Sequence, residues 1–255
     1  MRDDIVTGHE ARFDFPEFHG DHRPYLLATV PRSGSSYVAN LLWRTGRLGA
    51  PIEYINFVPE GPLGFAHGDP ARQTELWNAA LRTRTSPNGL FGVKAFPNQF
   101  LALQRDNPVL LDAIVRFLLA RGEYTRIIQL KRRDRSAHAI SVARATMSGV
   151  WRRAQETEDT PEPAFSAERV AWATREIASQ EAIWDAMFRD LDIAPLVLWY
   201  EDVMADEGAA LSSVAHYLGV TLDHDARVAT PNVERQAQDG PRAWRARLDE
   251  RRITE

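Results

Sequence analysis

Pro24 to Val30, PYLLATV, is a short apolar run that stops at Pro31, where PRSGSS leads into YVANLLWRTG. The pattern predicts strand, tight loop and helix: Val38, Leu41, Leu42 and Thr45 recur at helical spacing, and Gly46 sits where a C-terminal cap belongs. From Pro59 to Asn88 the chain is rich in Gly, Pro and turn formers around one apolar patch, Glu75 to Leu81, which reads as a long excursion carrying one helix. Leu90 to Phe96, LFGVKAF, is a buried strand interrupted by Lys94, with Pro97 and Asn98 as a polar exit. Leu110 to Leu119 is helical in period, and Tyr124 to Leu130 is strand-like up to Lys131, Arg132 and Arg133. Ser136 to Trp151 reads as a helix, and Glu156 to Pro163 as an acidic linker.

The second half continues the alternation. Val170, Ala173, Ile177, Trp184, Met187, Phe188 and Leu191 share one helical face and read as core packing. Pro195 to Tyr200, PLVLWY, reads as another buried strand, and Leu211 to Leu218 as a helix ended by Gly219. Asn232 to Glu255 is polar and charged, with Trp244 as its one large aromatic side chain, and reads as a surface loop and helix rather than core. Strands alternating with helices imply an α/β fold: a central, mostly parallel sheet flanked by helices, with right-handed crossovers and a ligand crevice at the carboxyl ends of the strands. We expect one domain over residues 1–255, with an N-terminal extension over 1–23, the loop-rich excursion over 59–88 and a C-terminal segment over 232–255.

Composition narrows the function. The 255 residues are 44% hydrophobic and 26% charged, enough for a full core, and a net charge of -4 disfavours nucleic acid as a general partner. The absence of cysteine removes disulfides, thiolate metal sites and cysteine nucleophiles together. Of seven histidines only His19 and His22 lie close, and Gly20 and Pro24 beside them argue against a zinc-binding helix, so no metal is expected. Met1 to His22 carries charges throughout and lacks the apolar stretch of a secretory signal, and no run reaches the ~18 apolar residues of a membrane span. A soluble cytoplasmic protein is expected.

Three groups of residues carry candidate chemistry. Arg32-Ser33-Gly34-Ser35-Ser36, between strand and helix, aims free amides, a helix dipole and short hydroxyls at one point suited to a phosphate, and Gly34 allows close backbone approach. A serine-capped βα turn has the same composition, and Arg32 tips the reading toward an anion. Lys131-Arg132-Arg133 ends another strand, with Ser141 about two helical turns beyond. Taken alone it reads better as a solvated basic turn with Asp134 as internal partner; paired with the first loop on one sheet edge, it suggests a ligand with two separated phosphates. Glu53, among apolar neighbours in GAPIEY, is placed for a general base, although on the residues alone a surface glutamate is the better reading.

Taken in order, VPRSGSS, GAPIEY, SPNGLFGVKAFPNQ, KRRDRSAHAIS with ARATMSGVWR, LWYEDV and VERQAQDGPRAW resemble the trehalose 2-sulfotransferase-like family of bacterial carbohydrate sulfotransferases, from about Tyr25 to Asp249. The resemblance implies a P-loop-like sulfotransferase fold and 3′-phosphoadenosine 5′-phosphosulfate (PAPS) as sulfuryl donor, with PAP as product and no metal. It implies that Arg32, Ser33, Gly34, Ser35 and Ser36 hold the 5′-phosphosulfate, that Arg132 or Arg133 with Ser141 holds the 3′-phosphate, and that Glu53 is the general base. It further suggests that Arg235 and Gln236 close over the nucleotide, that Lys94 and Asn98 line the acceptor side, and that the chain forms a homodimer. Val142 and Ala143 replace the large aromatic residues usual between Ser141 and Arg144, and Tyr37 stands where a smaller or aliphatic side chain is usual, which implies an acceptor pocket of different shape.

The expected reaction is in-line transfer to a hydroxyl of a carbohydrate, glycolipid or other small acceptor, with Glu53 taking the proton and Arg32 and the loop amides stabilising developing charge. The rival reading is a P-loop kinase or nucleoside triphosphatase, with Glu201 and Asp202 imitating a magnesium-binding strand end. That class carries Gly-Lys-Ser/Thr in its loop, which this loop does not. A non-catalytic nucleotide-binding relative is the third reading.

Overall fold

A computed structural model describes residues 6–119, 125–151, 155–156, 161–223, 227–233 and 239–254. Four parallel strands form its sheet: β1 (Arg23–Ala28), β2 (Leu90–Ala95), β3 (Ile127–Lys131) and β4 (Leu196–Trp199), in the order β2-β1-β3-β4. Leu27 of β1 lies opposite Lys94 of β2 on one side and Ile128 of β3 on the other, while Lys131 of β3 lies opposite Trp199. The chain steps from β1 outward to β2, then crosses back to β3. That reversal opens a crevice beyond the carboxyl ends of β1 and β3.

Alternation along the central strands feeds two cores. Leu26, Ala28, Phe91, Val93 and Ile127 pack on one face against α4 (Pro108–Leu119), α5 (Arg135–Ser148) and α6 (Ala167–Asp190). Tyr25, Leu27, Ile128 and Leu130 pack on the other against α1 (Ser35–Trp43) and α8 (Glu207–Leu218). Caps set the helix starts: Asp134 accepts from the Ala137 amide at 2.9 Å, Ser166 from Arg169 at 3.2 Å and Asp206 from Ala209 at 2.8 Å.

The helix of the excursion is longer than its apolar patch, because Asp69 caps it and Pro70 starts it: α2 spans Pro70–Thr83. Pro97 likewise opens a helix, α3 (Pro97–Asp106), where a polar exit was expected. Pro195 to Tyr200 does not form a fully buried strand: β4 lies at the sheet edge with Val197 42% exposed, and Tyr200 already begins α7 (Tyr200–Ala205). Leu191 falls past the end of α6 and is exposed. No helix among the described residues is long and apolar enough to cross a membrane.

The C-terminal helix corrects the surface reading of its segment. In α9 (Asp239–Thr254) Trp244 is 2% exposed and meets Phe165 edge-on, with centroids 5.3 Å apart, and it belongs to the core beneath α5. Arg245 pairs with Asp134 at 2.9 Å, tying α9 to the cap of α5. One indole outweighs the polar residues around it, because a buried aromatic side chain of that size dominates the local balance. Trp244→Ala is expected to cost about 3 kcal/mol or more; a urea unfolding midpoint within error of the parent protein's would contradict that core role.

Candidate active site

Two loops meet at the reversal of the sheet. The first leaves β1 through Thr29 and turns into α1 at Gly34 (φ 89°), with Arg32 also left-handed (φ 64°). A Cβ on Gly34 would sit 2.2 Å from the Tyr200 ring, so both the dihedral and the space demand glycine. The turn is held from inside. Trp184 donates its indole N–H to the Thr29 carbonyl at 2.7 Å, His138 donates from Nε2 to the Pro31 carbonyl at 2.8 Å, and the Thr29 and Ser33 hydroxyls bond each other at 2.6 Å. Ser33 is fully buried, and its side chain braces the turn rather than facing the crevice. No side chain caps the N-terminus of α1, which leaves its first amides and dipole directed at the rim.

The second loop follows β3. Arg132 donates from Nη1 to the Arg32 carbonyl at 3.3 Å, so the glycine turn and the cationic turn touch. The Arg132 guanidinium lies 5.3 Å from the centre of the Tyr200 ring, and its buried Nε has no hydrogen-bond partner, with Glu201 3.9 Å away. Arg32 turns toward α5: its Nε donates to Ser141 Oγ at 3.0 Å and its Nη1 to the Trp151 carbonyl. The guanidinium of Arg32 therefore stands beside Ser141 rather than over the amides of its own loop. Burial, with Arg132 and Arg144 nearby, pushes Arg32 down to about 10.

Arg133 is set apart from this cluster. It forks onto the Asp202 carboxylate, with Nη2 donating to Oδ2 at 2.8 Å, and lies over Trp199, well exposed. Glu201 accepts the Arg133 and Asp134 amides at 3.0 and 3.1 Å; burial pushes its carboxyl up, but these amides and Arg132 hold it below the usual range. The two acids that imitate a magnesium-binding strand end thus bind the cationic turn instead. Among the described residues no three His, Asp or Glu side chains gather as a metal site. Arg235 and Gln236 lie outside the described residues.

Glu53 sits on the same rim. The GAPIEY segment runs beside β2, with Ile52 bridged to Val93 and its carbonyl accepting the Lys94 amide at 3.1 Å. A Cβ on Gly49 (φ 70°) would come within 2.9 Å of the Gly92 nitrogen, so this close approach also needs glycine. Glu53 Oε1 pairs with Lys94 at 2.9 Å, and Oε2 accepts from Gln99 at 3.0 Å and Asn56 at 2.5 Å. Lys94 also donates to Ser36 Oγ at 3.1 Å. A continuous chain of contacts thus runs from the carboxylate to the first turn of α1. Lys94 is engaged in this chain, and Asn98 lines a cavity of about 190 Å³ next to Pro31 and Val142. Ala143 is in the core, and Tyr37 donates its hydroxyl to Glu207.

The family model of the Stf0 sulphotransferases matches residues 24–251. The chain belongs to the Stf0 sulphotransferase family. Trehalose 2-sulfotransferase of Mycobacterium tuberculosis is 27% identical over 253 residues, covering 87% of this chain and 92% of that one. Trehalose 2-sulfotransferase of Mycolicibacterium smegmatis is 26% identical, covering 86% and 92%. Among solved structures, mouse sulfotransferase SULT7A1 complexed with PAP covers 82% of this chain and 62% of its own, at 12% identity and a TM-score of 0.45; nothing is built on so distant a likeness. The chain is a sulfotransferase enzyme, and its α/β architecture follows from its own parallel sheet.

Several residues of this Stf0 site carry no signal in the sequence. His138 lies in the first turn of α5 and Trp184 on the apolar face of α6, yet both reach across to the glycine turn. Gln99 could have been found as the third residue of α3, where it accepts the Phe96 amide at 3.1 Å while its other end holds Glu53. His138 is fully buried, and its Nδ1 has no hydrogen-bond partner. Burial, reinforced by Arg132, Arg135 and Arg32, pushes it down to about 4. The unfolded chain takes up this proton near 6.5, so between pH 6.5 and 4 it binds more protons than the folded chain, and stability falls as pH falls through that window. The loss is on the order of 3 kcal/mol. His138→Gln, which retains a donor for Pro31, is expected to lose less stability than the parent between about pH 7 and pH 4.5; parallel urea midpoints for the two proteins would count against it.

Proposed function

We propose that the protein transfers a sulfuryl group from PAPS to a hydroxyl of a carbohydrate, glycolipid or other small hydroxylated acceptor, by in-line displacement with Glu53 as general base. The observation that carries the reading is the meeting of an uncapped helix N-terminus with the Arg132, Arg32 and Ser141 cluster at one rim, joined by the bond from Arg132 to the Arg32 carbonyl. Two anion pockets in contact suit a nucleotide phosphorylated at two positions. The names of the mycobacterial relatives support a sugar as acceptor. On this reading the chain works in the cytoplasm, and a two-fold pair is the default assembly.

PAPS supplies an activated sulfuryl group. On this reading the amides of Gly34 to Ser36 hold the sulfuryl and 5′-phosphate oxygens. Arg132 and Ser141 hold the 3′-phosphate, with Arg32 beside them in place of its expected position at the sulfuryl end. A guanidinium at the meeting point of the two loops fits an anion. As the acceptor oxygen bonds to sulfur, the bond from sulfur to the 5′-phosphate oxygen breaks and the acceptor proton passes to Glu53. Protonation cancels the charge that Lys94 balances. The ammonium, already against Ser36, is then left facing the negative charge that grows at the helix end. Base and electrophile are coupled through one lysine.

Glu53→Gln keeps the hydrogen-bonding shape but accepts no proton. It is expected to leave the PAP-induced rise in melting temperature unchanged while lowering turnover by at least about a hundredfold. Arg132→Ala is expected to abolish the PAP-induced rise. Stronger protection by ATP with magnesium than by PAP alone would favour the kinase reading, and near-parental turnover in Glu53→Gln would remove the base.

A further inference from the structure

Gln99, at the third position of α3, does more than cap a helix. In a capping box that position takes glutamate or glutamine alike, since all it has to do is accept the amide of the residue before the helix. At the positive end of the helix dipole a glutamate fits better. Yet Gln99 is 1% exposed, and both ends of its carboxamide are engaged: Oε1 accepts the Phe96 amide at 3.1 Å, and Nε2 donates to Glu53 Oε2 at 3.0 Å. The backbone sets the sense of the carboxamide. The Phe96 N–H can only donate, so the oxygen of Gln99 must face it and the NH2 must face the carboxylate. A glutamate would serve the cap but bring a second carboxylate against Glu53.

Glu53 is held from three parts of the chain: Gln99 from α3, Lys94 from β2 and Asn56 from its own loop. Gln99 and Asn56 both donate to Oε2, whereas Lys94 pairs with Oε1 and also donates to Ser36 in the first turn of α1. Oε1 is therefore the oxygen on the side of the anion turn, and Oε2 the one turned toward α3. Resting on the reading of Glu53 as general base, we propose that Gln99 is a positioning residue for that base. It holds Oε2 toward α3, so that the carboxylate presents Oε1 to the acceptor hydroxyl, and it favours the ionised form by donating to it. As the acceptor oxygen bonds to sulfur, its proton passes to Oε1. The backbone amide at the end of β2 thus aims the base through one buried side chain.

The test uses the full chain in two measurements. Without donor or acceptor, Glu53 is titrated by the infrared carboxyl band that Glu53→Gln lacks. Gln99→Met, which fills similar space without a donor, is expected to move that titration to higher pH, because a donor to the charged form is lost. Gln99→Glu, which keeps the cap, is expected to spread it over two steps, as two carboxyls share one proton. With labelled PAPS and trehalose, both variants are expected to lower kcat at least about tenfold, while KM for PAPS and the PAP-induced melting shift stay parental. Combined with Glu53→Gln, neither is expected to slow turnover further, since Gln99 acts through Glu53. An unmoved titration in both variants, parental kcat in both, or a further loss in the double variants would each overturn the positioning role. Parental turnover in Glu53→Gln would instead bring down the base itself. A moved titration in a protein that leaves trehalose unsulfated would uphold the grip of Gln99 on the carboxylate and count against trehalose as acceptor.

Discussion

The rim depends on a helix that starts without a side-chain cap. An uncapped N-terminus forfeits hydrogen bonds that a serine or aspartate normally supplies, about 1 kcal/mol for each cap lost. Here the sequence offers Ser33 for that role, but Ser33 turns inward to Thr29 and leaves the amides facing outward. Two left-handed residues, Arg32 and Gly34, add backbone strain to the same turn. Such a turn persists because it is anchored from below. Thr29 and Pro31 give their carbonyls to Trp184 and His138, which stand on two separate helices of the core. Burial of apolar surface on α5 and α6 thereby holds open an anion site on the far side of a strand end.

Charge follows the same logic. The chain is net negative, yet Arg32, Arg132 and Arg144 gather at one edge, where burial first and the other two guanidinium groups second push Arg32 down to about 10. Acids stand among them: Glu162 pairs with Arg144, Glu201 lies 3.9 Å from Arg132 while accepting two amides, and Asp202 is taken by Arg133. Burial and the neighbouring guanidinium groups both work against the Arg32 charge. A bound polyanion relieves that repulsion, so ligand binding and stability are coupled.

Much of this was legible in the residues. Apolar runs marked all four strands, and glycine with serine after β1 marked the tight turn into α1, because strand ends and positive dihedrals leave local signatures. The basic turn was legible as a cluster, but which arginine faces the crevice was not. Arg132 and Arg133 are adjacent, and their directions follow from the edge position of β4 and the helix after it, where Trp199 of β4 and Asp202 of α7 draw Arg133 outward. Trp244 escaped for a related reason: a single indole in a polar helix carries no periodicity, and its burial depends on α5 and Phe165 being in place. His138, Trp184 and Gln99 were silent because hydrogen bonds spanning 107, 155 and 46 residues leave no mark on local sequence.

The two sides of the rim rest on different materials. One is backbone amides, a dipole and guanidinium groups fixed by the sheet, all of which tolerate changes in neighbouring side chains as long as the turn survives. The other is the gap between α5 and α6, where Val142, Trp172 and Gln180 set shape and polarity. Helix spacing there is held by apolar contacts away from the cavity, Ala143 and Ala173 among them. Side chains facing the gap are therefore free to change without loosening the turn that binds the anion. A turn anchored this way keeps its geometry while the gap beside it changes shape, and Val142 is a position where a change of volume alters that gap without touching the turn.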